Sequence, residues 1–407
     1  MAAATAEARI AAFQGLLRGA GVDAALLLNP PDVFYFTGTK QPANLLVPAG
    51  APAPSGVLGG REPTLFVRRG RDFAEEDIAA LGFPAGWLAD GQSFRAVAAR
   101  LAALGRAGGV LGTAEDKLPV ALYRALARAL PGWELRDVAP LLLEQRMVKD
   151  ETEIALMRRA CALFAAAHEA IVATARPGVS ELEVSLAAYA ALRRAGHEEF
   201  IPMRRWDATL PPGGIIASGE NLWRISGHAF TVTGVGVSPS LPLGASHRVL
   251  QPGDLIVADI ATQYRGYHGD TARTYVVGEP SAEQRRAFAA CLAVYRATTA
   301  ALRPGITAAD LYAAAKSAAD ETPFAPYFMG YGDKRGAYIG HATGVEQDEP
   351  PILGPRATTP LRPGMTLAIE PKFIIPGFGA VDVEDTWLVT ADGGEALHVL
   401  PNELFVV

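Results

Sequence analysis

The feature that most constrains the fold is a pair of apolar strands, each of which carries one aspartate. Residues 254–261 have the pattern of a strand in which Asp259 stands among apolar neighbours, where an unpartnered carboxylate would be very costly. A two-residue turn at 265–266 predicts that residues 267–277, with Asp270, return as the antiparallel partner. The sequence therefore predicts a β-hairpin with a carboxylate in each strand.

The register of this hairpin brings the two aspartates together. Tyr264 faces Tyr267 across the predicted turn, so Asp270 lies opposite position 261, two residues from Asp259. Residues two apart on a strand share a face, which makes the aspartates diagonal neighbours about 7–8 Å apart at the backbone. Two carboxylates in this arrangement converge on a cation.

A second hairpin repeats this arrangement with glutamates. Strand 365–375 carries Glu370, a turn follows at 376–379, and the return strand carries Glu384 and Asp385. A three-residue or bulged turn would put Glu370 and Glu384 on one face, whereas a two- or four-residue loop would put them on opposite faces. The sequence leaves both registers open.

A histidine completes the set of candidate ligands. His341 lies in the glycine-flanked loop 339–344, which would let a neutral imidazole approach a metal ion. Four carboxylates balance the charge of two divalent cations, and the hard, oxygen-rich set suits Mn(II), Co(II) or Zn(II) and excludes a thiolate site. Paired ions about 3.5–4 Å apart activate a bridging water and polarise an amide carbonyl. The prediction is therefore a hydrolase with two divalent metal ions.

The composition limits the classes of binding partner and the cellular compartment that are expected. The chain has 407 residues and a formal net charge of -6, which argues against nucleic acid as a partner. Cys161 and Cys291 each lie in an alanine-rich stretch, where free buried thiols in a reducing cytoplasm are expected. The first residues have the pattern of an amphipathic helix rather than a signal peptide, and no stretch approaches the roughly 18 apolar residues of a membrane span. A cytoplasmic protein without a membrane partner is expected.

The chain is long enough for two domains. Residues 1–140 alternate helical and strand-like patterns and predict a smaller α/β domain. Residues 141–407 combine long hairpins with helices, two of them over about 281–301 and 308–320, and predict an α+β domain with an antiparallel sheet. A capping box at Asp150–Glu153 predicts a new helix near the boundary. The order helix, helix, hairpin occurs twice in the second domain, which suggests an internal duplication.

Five sequence blocks carry a resemblance to a known family. They resemble, in order and spacing, the signature blocks of the pita-bread metallopeptidases, the family of prolidase, aminopeptidase P, methionine aminopeptidase and creatinase. The blocks are EQRMVKDETEIALMRRA, DIATQYRGYHGDTART, GHATGVEQDEPP, AIEPKF and VEDTWLVT. The N-terminal LLNPPDVFYFTG is similar to the creatinase-type N-terminal domain, so the match covers nearly the whole chain. The resemblance implies a C-terminal pita-bread catalytic domain behind a smaller α/β domain.

The resemblance also implies a role for each candidate ligand. The five metal ligands would be Asp259, Asp270, His341, Glu370 and Glu384. Asp270 and Glu384 would bridge both ions. Glu370 would also resemble the family's general base, a role that needs its carboxylate within hydrogen-bond reach of the bridging water.

Three positions depart from the family pattern. The histidine that many prolidases and aminopeptidases P carry before the first aspartate is absent from residues 239–244. Asp348 stands where a second family histidine is usual, and Asp382 stands where an arginine is usual, two residues before the last glutamate. All three departures lie at substrate or proton-handling positions, whereas all five ligand positions match.

Two residues are candidate substrate-binding groups. His228, in a stretch rich in glycine and serine, would replace a lost family histidine as a transition-state donor, or it is an ordinary loop histidine. Asp348 would hydrogen-bond a substrate amine, or it pairs with a nearby arginine. Four arginines are candidates for a substrate carboxylate, and the sequence does not choose among them: Arg204, Arg205, Arg224 and Arg335.

The leading functional prediction is a dinuclear-metal peptidase, similar to a small prolidase, that splits Xaa-Pro dipeptides. The metals would hold a hydroxide that attacks the scissile carbonyl, and Glu370 would pass the proton to the leaving proline nitrogen. The alternatives are an aminopeptidase P that acts on longer Xaa-Pro peptides, and a non-peptidase hydrolase or lyase on the same fold. The resemblance also implies a homodimer, since relatives often close the substrate cleft with a partner's N-terminal domain.

Overall fold

The computed structural model describes residues 3–50, 62–208, 210–226, 232–398 and 400–407. The chain divides into two compact units, Met1–Arg146 and Met147–Val407. The predicted boundary after residue 140 falls inside the helix Ala139–Met147, which ends at this division.

The first unit is a mixed sheet with helices. Its described residues form the strands β1 (Ala24–Leu27), β2 (Ala43–Pro48), β3 (Thr64–Val67), β4 (Leu88–Asp90), β5 (Gly109–Thr113) and β6 (Trp133–Asp137). The helices are α1 (Ala3–Gly19), α2 (Pro30–Thr37), α3 (Arg71–Ala79), α4 (Phe94–Ala103), α5 (Val120–Ala129) and α6 (Ala139–Met147). The strand order is β4-β3-β2-β1-β5-β6, in which β2 runs antiparallel to both neighbours and the remaining pairs are parallel. This is the predicted α/β class.

A buried ion pair joins α6 to α2 within this unit. Arg146 donates from Nη1 to Oδ1 of Asp32 at 2.5 Å, and neither side chain is more than 1% exposed. Removal of one partner from such a pair leaves a buried charge and costs about 3–5 kcal/mol. The pair therefore anchors α6 in the first unit.

The second unit is larger and mostly antiparallel. Its helices in the described residues are α7 (Glu151–Ala162), α8 (Phe164–Thr174), α9 (Glu181–Ala195), α10 (Ala282–Ala301) and α11 (Ala308–Asp320). The strands of its first half are β7 (Ile215–Ser218), β8 (Leu255–Tyr264) and β9 (Tyr267–Val276). The strands of its second half are β10 (Gly340–Ala342), β11 (Glu349–Ile352), β12 (Thr366–Ile369), β13 (Lys372–Ile375), β14 (Gly379–Asp382), β15 (Glu384–Val389), β16 (Gly394–Ala396) and β17 (Phe405–Val406).

One sheet organises the second unit. Its order is β11-β10-β12-β15-β9-β8-β7, with β16 on β15 and β17 on β9, while β13 and β14 pair separately. Among the described strands the pairs are antiparallel except β17 with β9, as the predicted α+β class requires. The halves meet where β9 pairs with β15. The two sequence segments with a hairpin each therefore share one continuous sheet.

Local capping signals set the helix boundaries of this unit. Asp150 accepts hydrogen bonds from the first turn of α7, and the Glu153 side chain returns one, which confirms the predicted capping box. Similar boxes begin α10 at Ser281 and α11 at Thr307. Both of these helices agree with the predicted ranges.

The two faces of β8 contribute to two different apolar cores. Leu255 and Val257 pack in the cluster that includes α10 and α11, whereas Ile256 and Ile260 pack in the cluster that includes α8 and α9. Because side chains alternate along a strand, Asp259 is on the same face as Leu255 and Val257. The candidate ligands of β8 and β9 therefore point to the α10–α11 side of the sheet.

The two cysteines and the apolar character of the helices can be compared with the sequence predictions. Cys161 and Cys291 are both buried and free, as predicted. In the described ranges, no helix combines the length and the apolar character needed to cross a bilayer.

Candidate metal centre

The first hairpin has the predicted register. β8 and β9 pair Tyr264 with Tyr267 and set Asp259 and Asp270 two positions apart across the ladder, on one face of the sheet. The turn, Arg265–Gly266, has φ of 47° and 79°, and positive φ at both residues is what a type I′ hairpin requires. The prediction that these carboxylates are diagonal neighbours is confirmed.

The second hairpin keeps one register although its strand pairing is interrupted between two ladders. The β12–β15 ladder ends with Ile369 opposite Asp385, and the β13–β14 ladder continues the same register beyond the gap. Glu370 and Glu384 therefore occupy facing positions. The turn that closes the hairpin has three residues, 376–378, which decides between the two registers that the sequence left open.

The prediction of one continuous strand over 365–375 is wrong at its centre. The strand breaks at Glu370 and Pro371, because proline has no N–H to offer a ladder. The N–H of Glu370 instead donates to the carbonyl oxygen of Ile339 at 2.9 Å. The break therefore occurs at the candidate ligand itself.

His341 lies in a short strand rather than in the predicted loop. β10 pairs with β12 and sets His341 opposite Ala368. Gly340 has φ of 147°, and a Cβ at this position would collide with the carbonyl of Ala368. The glycine before His341 is thus needed because β10 and β12 approach closely. The segment forms a strand instead of the expected loop because it pairs with β12.

Side chains from these strands converge on one point. One ligand atom each of Asp270, His341 and Glu384 lies within 4.8 Å of the other two. Nε2 of His341 is 3.7 Å from Oδ2 of Asp270 and 4.0 Å from Oε1 of Glu370. The negative charge of Asp259 raises the pKa of both Asp270 and Glu384, so its carboxylate belongs to the same group of charges. The structure brings the five residues predicted as ligands into one cluster.

His341 has a hydrogen-bonded Nδ1 and is surrounded by negative charges. Nδ1 lies 3.1 Å from the carbonyl oxygen of Ala342, and a proton donated there leaves the lone pair of Nε2 directed at the carboxylates. Burial lowers the pKa of His341, but the negative charges of Asp348, Glu370 and Asp270 outweigh burial and raise the pKa above its usual value. The charges around this imidazole are therefore negative on balance and favour a cation nearby.

Two carboxylate oxygens of the cluster have no hydrogen-bond partner among the described residues. Oδ1 of Asp270 and Oε2 of Glu384 are buried, with no hydrogen-bond partner in the described part of the chain. Burial raises the pKa of Asp259 to about 6, and burial together with repulsion between the carboxylates raises the pKa of Asp270 and Glu384 well above the usual range. Divalent cations satisfy such buried carboxylate oxygens. These side chains therefore fit a metal site.

A lysine that the sequence did not single out stands beside this cluster. Nζ of Lys372 lies 2.6 Å from Oε2 of Glu370 and 2.9 Å from Oδ2 of Asp382, and the lysine side chain has no exposed surface. Burial lowers the pKa of Lys372, but Asp382 and Glu370 outweigh it, and the net pKa is raised. Asp382, which stands where the family usually has an arginine, thus faces the ammonium group of a lysine on the paired strand. In the sequence, the one sign of this ion pair is that a lysine begins the otherwise apolar segment KFII.

Asp270 is held by a side chain of β15 and by a side chain of the segment between β10 and β11. Oγ1 of Thr386 accepts from the Asp270 N–H at 2.8 Å and donates to its carbonyl oxygen at 3.0 Å, and Gln347 donates from Nε2 to Oδ2 of Asp270. Thr274 bridges the N–H and carbonyl of Asp382 in the same way, at 2.8 Å each. This reciprocity is what an internal duplication would produce, although the duplication itself stays a prediction. Nothing local in the sequence indicated these contacts.

A cavity of about 230 Å³ opens beside the cluster. Its lining consists of Arg205, Tyr338, Gly340, His341, Asp348 and Ile352. Asp348 is half-buried, and burial raises the pKa of its carboxyl, while His341 and Arg205 oppose the shift. The predicted substrate-binding residue Asp348 therefore lies in the wall of a cavity that also contains a candidate ligand.

The other residues predicted to bind substrate differ in their position relative to the cavity. His228 lies outside the described residues. Arg204 pairs with Oε2 of Glu346 at 3.2 Å, and Arg205 makes two hydrogen bonds to Asp207, at 2.8 and 3.0 Å. Of these arginines, Arg205 lines the cavity.

Two protein-family models match the chain. The creatinase/prolidase N-terminal domain matches residues 9–148, and metallopeptidase family M24 matches residues 155–391, which is more than half of the chain. The chain belongs to metallopeptidase family M24. The predicted pita-bread fold with a smaller creatinase-type domain is thereby confirmed.

Individual M24 relatives agree with this membership. The metallopeptidase is 27% identical over 385 residues to the Xaa-Pro dipeptidase of Pyrococcus horikoshii, with 94% of each chain covered. It is 31% identical over 299 residues to the probable dipeptidase PepE of Mycobacterium tuberculosis, which covers 72% of this chain and 69% of that one. The solved structure of the Xaa-Pro dipeptidase from Bacillus anthracis matches with a TM-score of 0.80 and 27% identity, over 99% of this chain and 100% of that one.

Proposed function

We propose that this M24 metallopeptidase is an Xaa-Pro dipeptidase that uses two divalent cations. The observation that carries the proposal is the cluster of four carboxylates and one imidazole, in which ligand atoms of Asp270, His341 and Glu384 lie within 4.8 Å of one another. Relatives named as Xaa-Pro dipeptidases, matched over 94% and 99% of this chain, support the substrate class.

The charges around the cluster favour two ions over one. Four candidate carboxylate ligands carry four negative charges, which two divalent cations balance, and Lys372 and Asp382 offset each other. As the family resemblance implies, Asp270 and Glu384 would be ligands of both ions, and each has a buried oxygen without a hydrogen-bond partner in the described residues. The terminal ligands of the proposal are Asp259, His341 and Glu370. This hard, oxygen-rich set suits Mn(II), Co(II) or Zn(II).

In the proposed reaction, the bound ions and Glu370 have different roles. When bound, the ions supply Lewis-acid activation of water and of the scissile carbonyl. Glu370 has Oε1 on the side of His341 and Oε2 against Lys372. We assign to the Glu370 carboxylate the proton of the attacking water and its transfer to the proline nitrogen, which must be protonated to leave.

The proposed substrate contacts come from the cavity. Asp348 stands in its wall beside His341 and is suited to bind the ammonium group of a dipeptide. His228 stays a candidate second contact that the described residues do not test. A homodimer also stays a prediction, which sedimentation of the purified protein would check.

The direct test begins with protein stripped by a chelator. Mn(II), Co(II) or Zn(II) is restored separately, and proline release from an Xaa-Pro dipeptide is compared with cleavage of an Xaa-Pro tripeptide and an Xaa-Ala dipeptide. Metal-dependent cleavage of the Xaa-Pro dipeptide alone supports the proposal. Tripeptide cleavage would move the assignment to an aminopeptidase P, and inactivity on all three with two ions bound would favour a non-peptidase reaction.

A further inference from the structure

We infer that Lys372 is a positioning residue that orients Glu370 in the metal centre. The two carboxylate oxygens of Glu370 have different neighbours. Oε2 lies 2.6 Å from Nζ of Lys372, whereas Oε1 lies 4.0 Å from Nε2 of His341. The ammonium group therefore occupies one oxygen and leaves the other for the side where the candidate ligands meet. The catalytic consequence of this inference rests on the proposed function, but the orientation itself does not.

Lys372 is itself held from the opposite direction. Its Nζ contacts Oδ2 of Asp382 at 2.9 Å, and the two residues are directly paired in the β13–β14 ladder. The backbone of Asp382 is in turn bridged by the Thr274 hydroxyl. Neither the Lys372 nor the Asp382 side chain has exposed surface, so water does not compete for the ammonium group. A cation held in this way restricts the carboxylate that it contacts.

Partners that orient a ligating carboxylate have measurable value. Their loss typically costs about 10–100-fold in metal affinity or in activity. Lys372 fits this role because it touches a proposed ligand without competing for the ligand oxygen on the His341 side. Asp382, in turn, compensates the charge of the lysine.

Positioning and simple charge compensation predict opposite effects on metal binding. If Lys372 only reduced the negative charge of the cluster, its removal would make the site more negative and would tighten the binding of a divalent cation. If Lys372 orients Glu370, its removal frees the carboxylate and weakens the binding of the ion that Glu370 holds. The direction of the change in Kd therefore distinguishes the two roles.

The experiment is a calorimetric titration of Mn(II) into chelator-stripped full-length protein. Lys372→Met and Lys372→Gln are expected to bind one Mn(II) about 10–100-fold more weakly than the wild type. Lys372→Arg is expected to recover most of this affinity, because a guanidinium can still contact both carboxylates. Unchanged or tighter binding in the Met and Gln variants would overturn the inference.

Arg146→Met is the matched control. It removes a buried cation that pairs with Asp32 in the first unit. Its Mn(II) affinity is expected to equal that of the wild type. If Arg146→Met weakened Mn(II) binding as much as Lys372→Met, the effect would reflect general destabilisation and the inference would fail.

Two further measurements complete the test. At saturating Mn(II), Lys372→Met is expected to lower kcat for an Xaa-Pro dipeptide about 10–100-fold with KM unchanged, since the substrate contacts remain. The metal titration uses no substrate, so it stays informative if the proposed peptidase activity is absent. If Lys372→Met does not fold, the comparison of Lys372→Gln with Lys372→Arg decides, and equal Mn(II) affinities in these two variants would overturn the inference.

Discussion

Glu370 and Glu384 face each other at the gap between the β12–β15 and β13–β14 ladders. On the neighbouring hairpin, Asp259 and Asp270 are diagonal neighbours on β8 and β9. The four carboxylates therefore come from the adjacent strands β12, β15, β9 and β8, or from the residue directly after a strand. A shift of one residue in either register would turn a carboxylate to the other face, so the ladders themselves set the positions of the candidate ligands.

The proposed general base can be tested by Glu370→Gln. We expect kcat for an Xaa-Pro dipeptide to fall about 10²–10⁴-fold at saturating Mn(II), because the amide cannot accept the proton of water. Steady-state kinetics measures the change. Glu395→Gln is the control, since Glu395 pairs with Arg158 on the surface and should keep wild-type kinetics. Wild-type kcat in Glu370→Gln would exclude the assigned role.

Stability of the metal-free protein should depend on pH through Asp259. Burial raises the pKa of Asp259 from 3.8 to about 6, so the folded protein binds this proton more tightly than the unfolded chain does. The stabilising contribution is complete below about pH 4 and is lost as pH rises through about 6. Asp259→Asn stays neutral and should therefore exceed the wild type in free energy of unfolding near pH 7, by a margin that shrinks towards pH 4. Urea unfolding at both pH values measures the margin, and a margin independent of pH contradicts the prediction.

The cavity residue Asp348 should contribute to binding of the substrate ammonium group. Asp348→Asn is expected to raise KM for a free Xaa-Pro dipeptide about 10–100-fold, which corresponds to loss of a hydrogen bond between charged groups. Mn(II) affinity should change little, because Asp348 is not a proposed ligand. The control substrate lacks the amino group, and the two enzymes should have equal KM for it. An equal effect on both substrates would place Asp348 outside ammonium binding.

The hydroxyl of Thr386 should stabilise the strand that carries Asp270. Thr386→Val leaves the buried N–H and carbonyl of Asp270 without this bridge, and we expect a loss of about 1–3 kcal/mol in the free energy of unfolding. Thr274→Val is a matched variant, because Thr274 makes the same bridge to Asp382. Thr386→Val should weaken Mn(II) binding more than Thr274→Val does, since Asp270 is a proposed ligand. Urea unfolding and calorimetry measure the two quantities, and the reverse order would argue against Asp270 as a ligand.

Local signals made part of this fold predictable. The two-residue turn Arg265–Gly266 permits a single register, and that register was enough to pair Asp259 with Asp270 on one face. Helix α7 begins where the capping box at Asp150 predicts, because an N-cap satisfies its own first turn. In both cases the partners are close in sequence.

The second hairpin and the residues around the ligands were not predictable in the same way. The three-residue turn 376–378 was one of several lengths that the sequence allowed, and pairing with other strands selected it. Gln347 and Thr386 reach Asp270 from 77 and 116 residues away, and no local pattern encodes a contact over that distance. Lys372 is adjacent to a predicted ligand, yet its ion pair depends on the facing strand.

The sequence by itself determined the fold class, the residue types of the candidate metal centre and the register of one hairpin, because turn chemistry, capping and strand alternation act over a few residues. Only the tertiary structure decided that Glu370 faces Glu384, that His341 joins them from a strand, and that a buried ammonium group lies against one of the carboxylates. The physical reason is that burial, and the pairing of one strand with a distant one, depend on the packing of the whole sheet.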